Sequence, residues 1–275
     1  GYGNASINQF GAVSNYNSLQ VNLTKNMRNG LQFGAAYTWS KALGIANGDQ
    51  DELHPFNYRM GNYGYLDYDV PQMLVLNFVY DVPKLAAKGN FLDNPVGRKV
   101  FNGWQVSGIS TFQGGFPGNI GVGFTGIGGE LNRVYTGSEN VGPRVALTGK
   151  PARTGGSNDA YIVTSVFKAP QVGSSGLESA RYIVRRPGIS NWDVSVFKNV
   201  NFTESKYLQL RFEMFNFFNH TQFSDFNRSA TFNPTTGAIT NLPTSQGGGG
   251  GRYGFGAINS ARDPRLVQLA LKFYF

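Results

Sequence analysis

Hydrophobic and polar residues alternate over short segments of the chain, and the clearest of these segments is the last one, from Arg265 to Phe275. Because the side chains of a β-strand point alternately to two faces, this pattern predicts a strand with one apolar face. The residues on that face are Val267, Leu269, Leu271, Phe273 and Phe275. A tilted strand of about 9–11 residues crosses the hydrocarbon of a bilayer, so the segment is typical of a transmembrane barrel strand.

A second alternating pattern, near the amino end, predicts a β-hairpin. Leu19, Val21 and Leu23 alternate with polar residues up to Arg28, and the alternation resumes at Leu31 after Asn29-Gly30. Asn-Gly between two alternating segments is a strong short-range hairpin signal.

Four further segments alternate in the same way. Their apolar positions are Leu74, Leu76, Phe78, Tyr80 and Val82; Trp104, Val106 and Phe112; Trp192, Val194 and Val196; and Leu208, Leu210, Phe212 and Met214. Together with the hairpin and the last segment they predict about seven membrane-crossing strands.

The composition favours a membrane sheet over a soluble one. Charged residues make up 15% of the chain, against roughly 25% in ordinary soluble domains. The polar faces of the predicted strands carry mainly Ser, Gln, Asn, Thr, Gly and Ala, which suit a hydrated lumen. Alternation alone also fits a soluble barrel or sandwich with its apolar face inward, so that alternative stays open.

The lengths of the connections distinguish the two ends of the predicted sheet, independently of the strand patterns. The turns at residues 28–30 and 203–206 are short, whereas three other connections are long. The long connections cover residues 41–72, 114–190 and 221–262. Bacterial barrels have short periplasmic turns and long outer loops, so we expect an all-β, antiparallel transmembrane β-barrel with the long connections outside. Residues 84–102 are the exception, being too long for a periplasmic turn.

Catalysis and metal binding have no positive sign in the sequence. The chain has no cysteine and only two histidines, neither of which lies at a metal-ligand spacing. No nucleophile motif such as G-x-S-x-G is present. We therefore predict no enzyme activity, no cofactor and no metal.

Charge indicates one candidate site. The chain carries a net charge of +8, and the connection 114–190 contains Arg181, Arg185 and Arg186. These arginines either attract an anionic ligand or neutralise the phosphates of the neighbouring lipid and lipopolysaccharide. Because so long a connection rarely lacks structure, we expect it to fold locally, with its own hairpin. The basic residues lie on no nucleic-acid-binding module, so no nucleic-acid partner is predicted.

A second candidate pair, Arg211 and Glu213, shares the polar face of an otherwise apolar strand. Inside a barrel, such charged residues pair with a plug or with a neighbouring strand. The sequence therefore predicts a salt bridge in the lumen.

Several short segments together resemble the TonB-dependent outer-membrane transporters of the Oar-like kind. These segments are Ser14 to Val21, Tyr37 to Lys41, Gly103 to Gly108, Phe112 to Pro117, Asn191 to Asp193, Glu213 to His220 and Asp263 to Arg265. The resemblance implies a barrel of about 22 strands, of which residues 1–275 form the carboxy-terminal part. It also implies a plug and an amino-terminal carboxypeptidase-regulatory-like domain, both absent from this chain, and energy supplied through TonB. Phe273 and Phe275 would be the signal read by the barrel-assembly machinery.

The resemblance therefore implies a receptor segment that moves a bulky solute across the outer membrane of a Gram-negative bacterium. Two alternatives remain: a cleaved or separately encoded β-sheet polypeptide with a structural or assembly role, and a secreted β-sandwich binding module. As a receptor segment or as a separate β-sheet polypeptide, the chain needs partner strands, because unpaired sheet edges are costly in lipid.

Overall fold

The computed structural model describes residues 10–48, 58–174, 178–203 and 205–275. The strands are β1 (Ser14–Arg28), β2 (Leu31–Gly44), β3 (Gly64–Tyr65), β4 (Gln72–Asp81), β5 (Trp104–Gln113), β6 (Pro117–Gly118), β7 (Gly121–Phe124), β8 (Ala146–Leu147), β9 (Phe167–Lys168), β10 (Val184–Arg185), β11 (Ile189–Asn201), β12 (Tyr207–Phe215), β13 (Phe223–Phe226), β14 (Ser229–Phe232), β15 (Ile258–Ala261) and β16 (Leu266–Tyr274). The helices are α1 (Tyr58–Asn62), α2 (Pro95–Phe101) and α3 (Leu131–Thr136), with 3₁₀ turns at Asn158–Ala160, Thr164–Val166 and Thr244–Gln246. None of the helices in these ranges is long and apolar enough to cross a membrane.

One large antiparallel sheet dominates the molecule. Its strand order is β1-β2-β4-β5-β11-β12-β16, and the short β3 adds to β2. The strands are neighbours in the order in which the chain reaches them, as in an up-and-down barrel. The sheet is open, because β1 and β16 lie at its two edges.

The register of the sheet places the predicted apolar positions opposite one another. Leu19 lies opposite Trp39, and Phe212 lies opposite both Val196 and Leu269. This apolar band is open to the surroundings: Leu269 is 74% exposed. An exposed apolar band over a whole sheet is what a lipid-facing surface requires, and among the described residues no second sheet covers it as in a sandwich.

The opposite face is mixed and polar, as predicted. Gln20 lies opposite Thr38, and Gln209 lies opposite Lys272 and Asn199. Some apolar side chains interrupt this face, and Ile109 is 54% exposed there. The face therefore suits a hydrated interior that also contacts other protein segments.

The Asn29-Gly30 turn forms the predicted hairpin. Asn29 and Gly30 have φ values of 54° and 77°, the left-handed pair that a tight hairpin turn requires. A Cβ atom on Gly30 would lie 2.6 Å from the carbonyl oxygen of Asp81. Glycine is therefore required here for both conformation and space.

The unexpectedly long connection between β4 and β5 is a folded segment that contains α2. Asn94 caps this helix, its side chain accepting a hydrogen bond of 2.7 Å from the backbone N–H of Gly97. The side chain of Asn102 then bonds both backbone groups of Ala86 at 2.9 Å. The extra length is thus used to build a compact helical connection.

The main hydrophobic core lies outside the large sheet. It is formed by two of the long connections, whose described residues within 114–188 and 221–262 we call the loop module. Strands β7 and β14 join the two connections as a parallel pair, and the ring of Phe124 packs against those of Tyr135 and Phe232. The connection 114–190 contains an antiparallel pair, β8 and β9, but its core is shared with the third connection.

Candidate functional site

All three long connections emerge at the same end of the large sheet, which we call the rim. At this end Gln113 lies opposite both Met73 and Ile189, and Phe215 lies opposite Leu266. The connections after β1, β4 and β11 lie at the other end. The three long connections therefore lie together at one end, as predicted, and the connection between β4 and β5 is the one longer connection at the other end.

At the rim, Arg185 binds Asp69 of the first long connection. Asp69 is 1% exposed, and one carboxylate oxygen accepts a hydrogen bond from Arg185 while the other accepts one from the backbone N–H of Ala42. Arg185 also donates to the backbone carbonyl of Asp69 at 2.9 Å and lies 4.5 Å from the ring centre of Tyr65. The donors of Arg185 are largely used inside the protein, in a contact that holds two connections together.

Arg181 lies in a different environment. It donates a hydrogen bond of 3.0 Å to the carbonyl of Ile45 and lines a cavity of about 230 Å³ together with Arg144. Arg144 donates to the carbonyls of Gly61 and Ser179. Burial, and then repulsion from Arg181, lower the pKa of Arg144. These carbonyl contacts give both arginines a part in fixing the connections.

Arg186 lines the larger cavity of the rim, whose volume is about 650 Å³. All three long connections contribute to its wall. The lining residues are Asp67 and Tyr68 from the first, Phe116, Arg186 and Pro187 from the second, and Ser224, Asp225, Ser260 and Arg262 from the third. The structure thus separates the three predicted arginines, and their role toward a ligand stays a prediction.

Among the described residues, some charged side chains of this rim cavity have hydrogen-bond partners and others do not. Asp225 accepts hydrogen bonds of 3.1 and 3.0 Å from Arg228, whereas Arg186 approaches the same carboxylate only to 3.9 Å. The Nε–H of Arg186 is buried and donates to no acceptor in the part of the chain that the structure describes. Arg262 is exposed at the cavity. Sequence patterns did not identify Asp67 or Arg262, because the cavity joins residues from three connections.

A model of the family described as "Outer membrane beta barrel domain" matches residues 1–268. The chain belongs to this family. The match agrees with the exposed apolar band and supports a location in the outer membrane of a Gram-negative bacterium. No curated protein and no solved structure matches the chain.

The polar face of this barrel domain carries the second predicted pair. Arg211 donates a hydrogen bond of 2.6 Å to the side chain of Gln209 and lies 5.3 Å from the ring centre of Phe197. Within the described part of the chain, Arg211 and Glu213 form no salt bridge with each other or with a neighbouring strand, so that part of the prediction is wrong. A salt bridge from this pair to a plug stays a prediction.

Aromatic residues gather at the end of the barrel domain opposite the rim. The rings of Phe273 and Phe275 are stacked with centres 6.1 Å apart, and Phe273 also lies 6.4 Å from Phe202. Phe275 is 92% exposed. The two rings are therefore accessible to another protein or to lipid, and their role as an assembly signal stays a prediction.

Proposed function

We propose that this chain is the carboxy-terminal part of the barrel of a TonB-dependent outer-membrane receptor that moves a bulky solute across the outer membrane. The observation that carries the proposal is the rim cavity of about 650 Å³, to which all three long connections contribute. Concave sites of roughly 300–1,000 Å³ typically hold small-molecule ligands. In a barrel whose long connections face outward, this cavity meets a solute arriving from the medium.

The proposal also accounts for the two faces and the two edges of the sheet. The apolar face contacts outer-membrane lipid, while the polar face lines a lumen that a plug fills. The outer sides of β1 and β16 lack a partner strand in the described residues. Unpaired backbone groups cost several kcal/mol each in hydrocarbon, so we assign upstream strands of the same receptor to these edges. TonB, the barrel-assembly machinery and lipopolysaccharide are the further partners that we propose, and no catalytic role is included.

The open edges also favour a second candidate, a cleaved or separately encoded polypeptide with a structural role. Such a polypeptide would pair its edges with another chain. Mass spectrometry of the intact protein from outer membranes separates the two cases. A much heavier species that contains residues 1–275 supports the receptor, whereas a species of about the 30.0 kDa of the chain supports the separate polypeptide.

Transport is tested by comparing three strains: wild type, a deletion of the gene that encodes this chain, and a deletion of the gene that encodes TonB. The spent medium of each strain is analysed by untargeted mass spectrometry. We expect at least one solute that wild type depletes and that both deletion strains leave in the medium. Equal depletion of all solutes by wild type and by the gene deletion would contradict the proposed function.

A further inference from the structure

We infer, resting on the proposed function, that the rim cavity binds an anionic solute through a carboxylate held between Arg186 and Arg262. Both side chains line the same cavity. They come from different connections, so the site exists only when the loop module is folded.

Arg186 has donor capacity that the protein does not use. Its carboxylate neighbour, Asp225, is already bound by Arg228 through two hydrogen bonds, at 3.1 and 3.0 Å. Arg186 remains 3.9 Å from that carboxylate, beyond hydrogen-bond distance. Its buried Nε–H lacks an acceptor among the described residues. Because this Nε is fully buried, an incoming carboxylate would meet the terminal N–H groups of the guanidinium, which are not fully buried and belong to a side chain that is 34% exposed.

Arg262 supplies the second cation. Its backbone N–H donates a hydrogen bond of 2.7 Å to the carbonyl of Gln222, which fixes the main chain at the cavity wall. The described residues give its side chain no hydrogen bond and no salt bridge. Of the two aspartates in the wall, Asp225 is already bound by Arg228, which leaves Arg186 and Arg262 facing only Asp67. Since guanidinium groups bind carboxylates in a two-point geometry, this remaining positive charge favours a carboxylate over a neutral group.

The remaining lining limits the kind of anion. Phe116 and Tyr68 offer ring surfaces, and the ring of Phe116 lies 5.9 Å from the guanidinium of Arg186. Asp67 adds a negative charge to the wall. A solute with an apolar or planar body and one or two carboxylates therefore fits this cavity better than a highly charged polyanion.

The test uses the purified full-length receptor in detergent and two fluorescent probes that share one ring system. Dansyl-glutamate carries two carboxylates, and dansyl amide carries none. We expect dansyl-glutamate to bind more tightly than dansyl amide, with an affinity that falls as salt increases. In R186Q and in R262Q its Kd should rise about tenfold or more, as expected for losing a charged hydrogen bond.

K168Q is the matched control, because Lys168 is an exposed cation of the loop module that does not line the cavity. Its Kd should stay within about twofold of wild type. R262Q removes an exposed side chain, so it remains informative if R186Q disturbs the packing of the loop module.

Three results would overturn the inference: equal affinity for the two probes, unchanged dansyl-glutamate binding in R186Q and R262Q, or the same loss in K168Q. Increased detergent sensitivity of cells carrying R186Q and R262Q, with unchanged probe binding, would instead assign these arginines to lipopolysaccharide phosphates. Binding in detergent does not need TonB. Solute depletion that does not require TonB would therefore contradict the proposed function and leave the binding result standing.

Discussion

Arg185 donates hydrogen bonds to both the side-chain carboxylate and the backbone carbonyl of Asp69, and so joins the second long connection to the first. Asp69 is almost fully buried, and its other carboxylate oxygen holds the backbone of β2 through Ala42. The loop module is therefore attached to the rim by a buried ion pair. Removing Arg185 would leave the buried carboxylate of Asp69 without its counter-charge, with only the backbone N–H of Ala42 still bound to it.

We expect R185Q to loosen the loop module without unfolding the large sheet. Loss of one partner of a buried ion pair costs about 3–5 kcal/mol. The loop module should therefore be cut by an external protease in intact cells much faster than in wild type, while heat-modifiable mobility on gels is retained. K150Q, which removes an exposed cation of the same connection, should leave proteolysis unchanged. Equal protease resistance of R185Q and wild type would show that the pair does not hold the module in place.

The two faces of β16 predict a labelling pattern. Because residues 1–275 contain no cysteine, a single cysteine can be introduced into this segment at Leu269 or at Gln268. L269C should react with a lipid-soluble maleimide, and Q268C with a water-soluble one, since alternate side chains face lipid and lumen. The reverse pattern would mean that the sheet faces the opposite way.

The carboxy-terminal rings predict an assembly defect. Deletion of Phe275 from the full-length protein should lower its amount in the outer membrane, because the accessible Phe273 and Phe275 would no longer form the stacked pair. Immunoblots of outer-membrane fractions measure this amount. F202A, which removes the other ring beside Phe273, is the matched control and should assemble normally. Wild-type levels after the deletion would exclude an assembly role for Phe275.

Replacing Gly30 of the hairpin turn should lower the free energy of unfolding for two reasons, backbone strain and a steric clash, and a second variant separates them. G30A places a side chain at a positive φ and brings its Cβ to 2.6 Å from the carbonyl oxygen of Asp81. G89A imposes a similar backbone strain at φ 90°, where no atom lies within 4 Å of the new Cβ. Backbone strain of this kind costs of order 1–3 kcal/mol, and G30A should exceed G89A because of the clash. Urea unfolding of the two variants measures the difference.

Sequence alone determined the strands, their faces and the order of long and short connections. Alternation, as in Leu19 to Leu23, depends only on neighbouring residues, and the Asn29-Gly30 turn requires only two positive φ angles. In an up-and-down sheet each strand pairs with the next long strand of the chain, so local patterns were enough to predict the topology. The helix in residues 84–102 was not predicted: Asn94 followed by Pro95 is a local start signal, but a helix of seven residues is too short to show a hydrophobic period.

Only the tertiary structure decided how the long connections pack and which charges remain available. Phe124 and Phe232 lie in different connections, and no periodicity relates them, so their shared core could not be inferred from spacing. Sequence spacing also could not separate the roles of two arginines. Arg185 and Arg186 are adjacent in the sequence, yet Arg185 binds a buried carboxylate and Arg186 faces a cavity. Their different environments come from Asp69 and Asp225, residues far away in the chain, because loops acquire their contacts only when the rim brings them together.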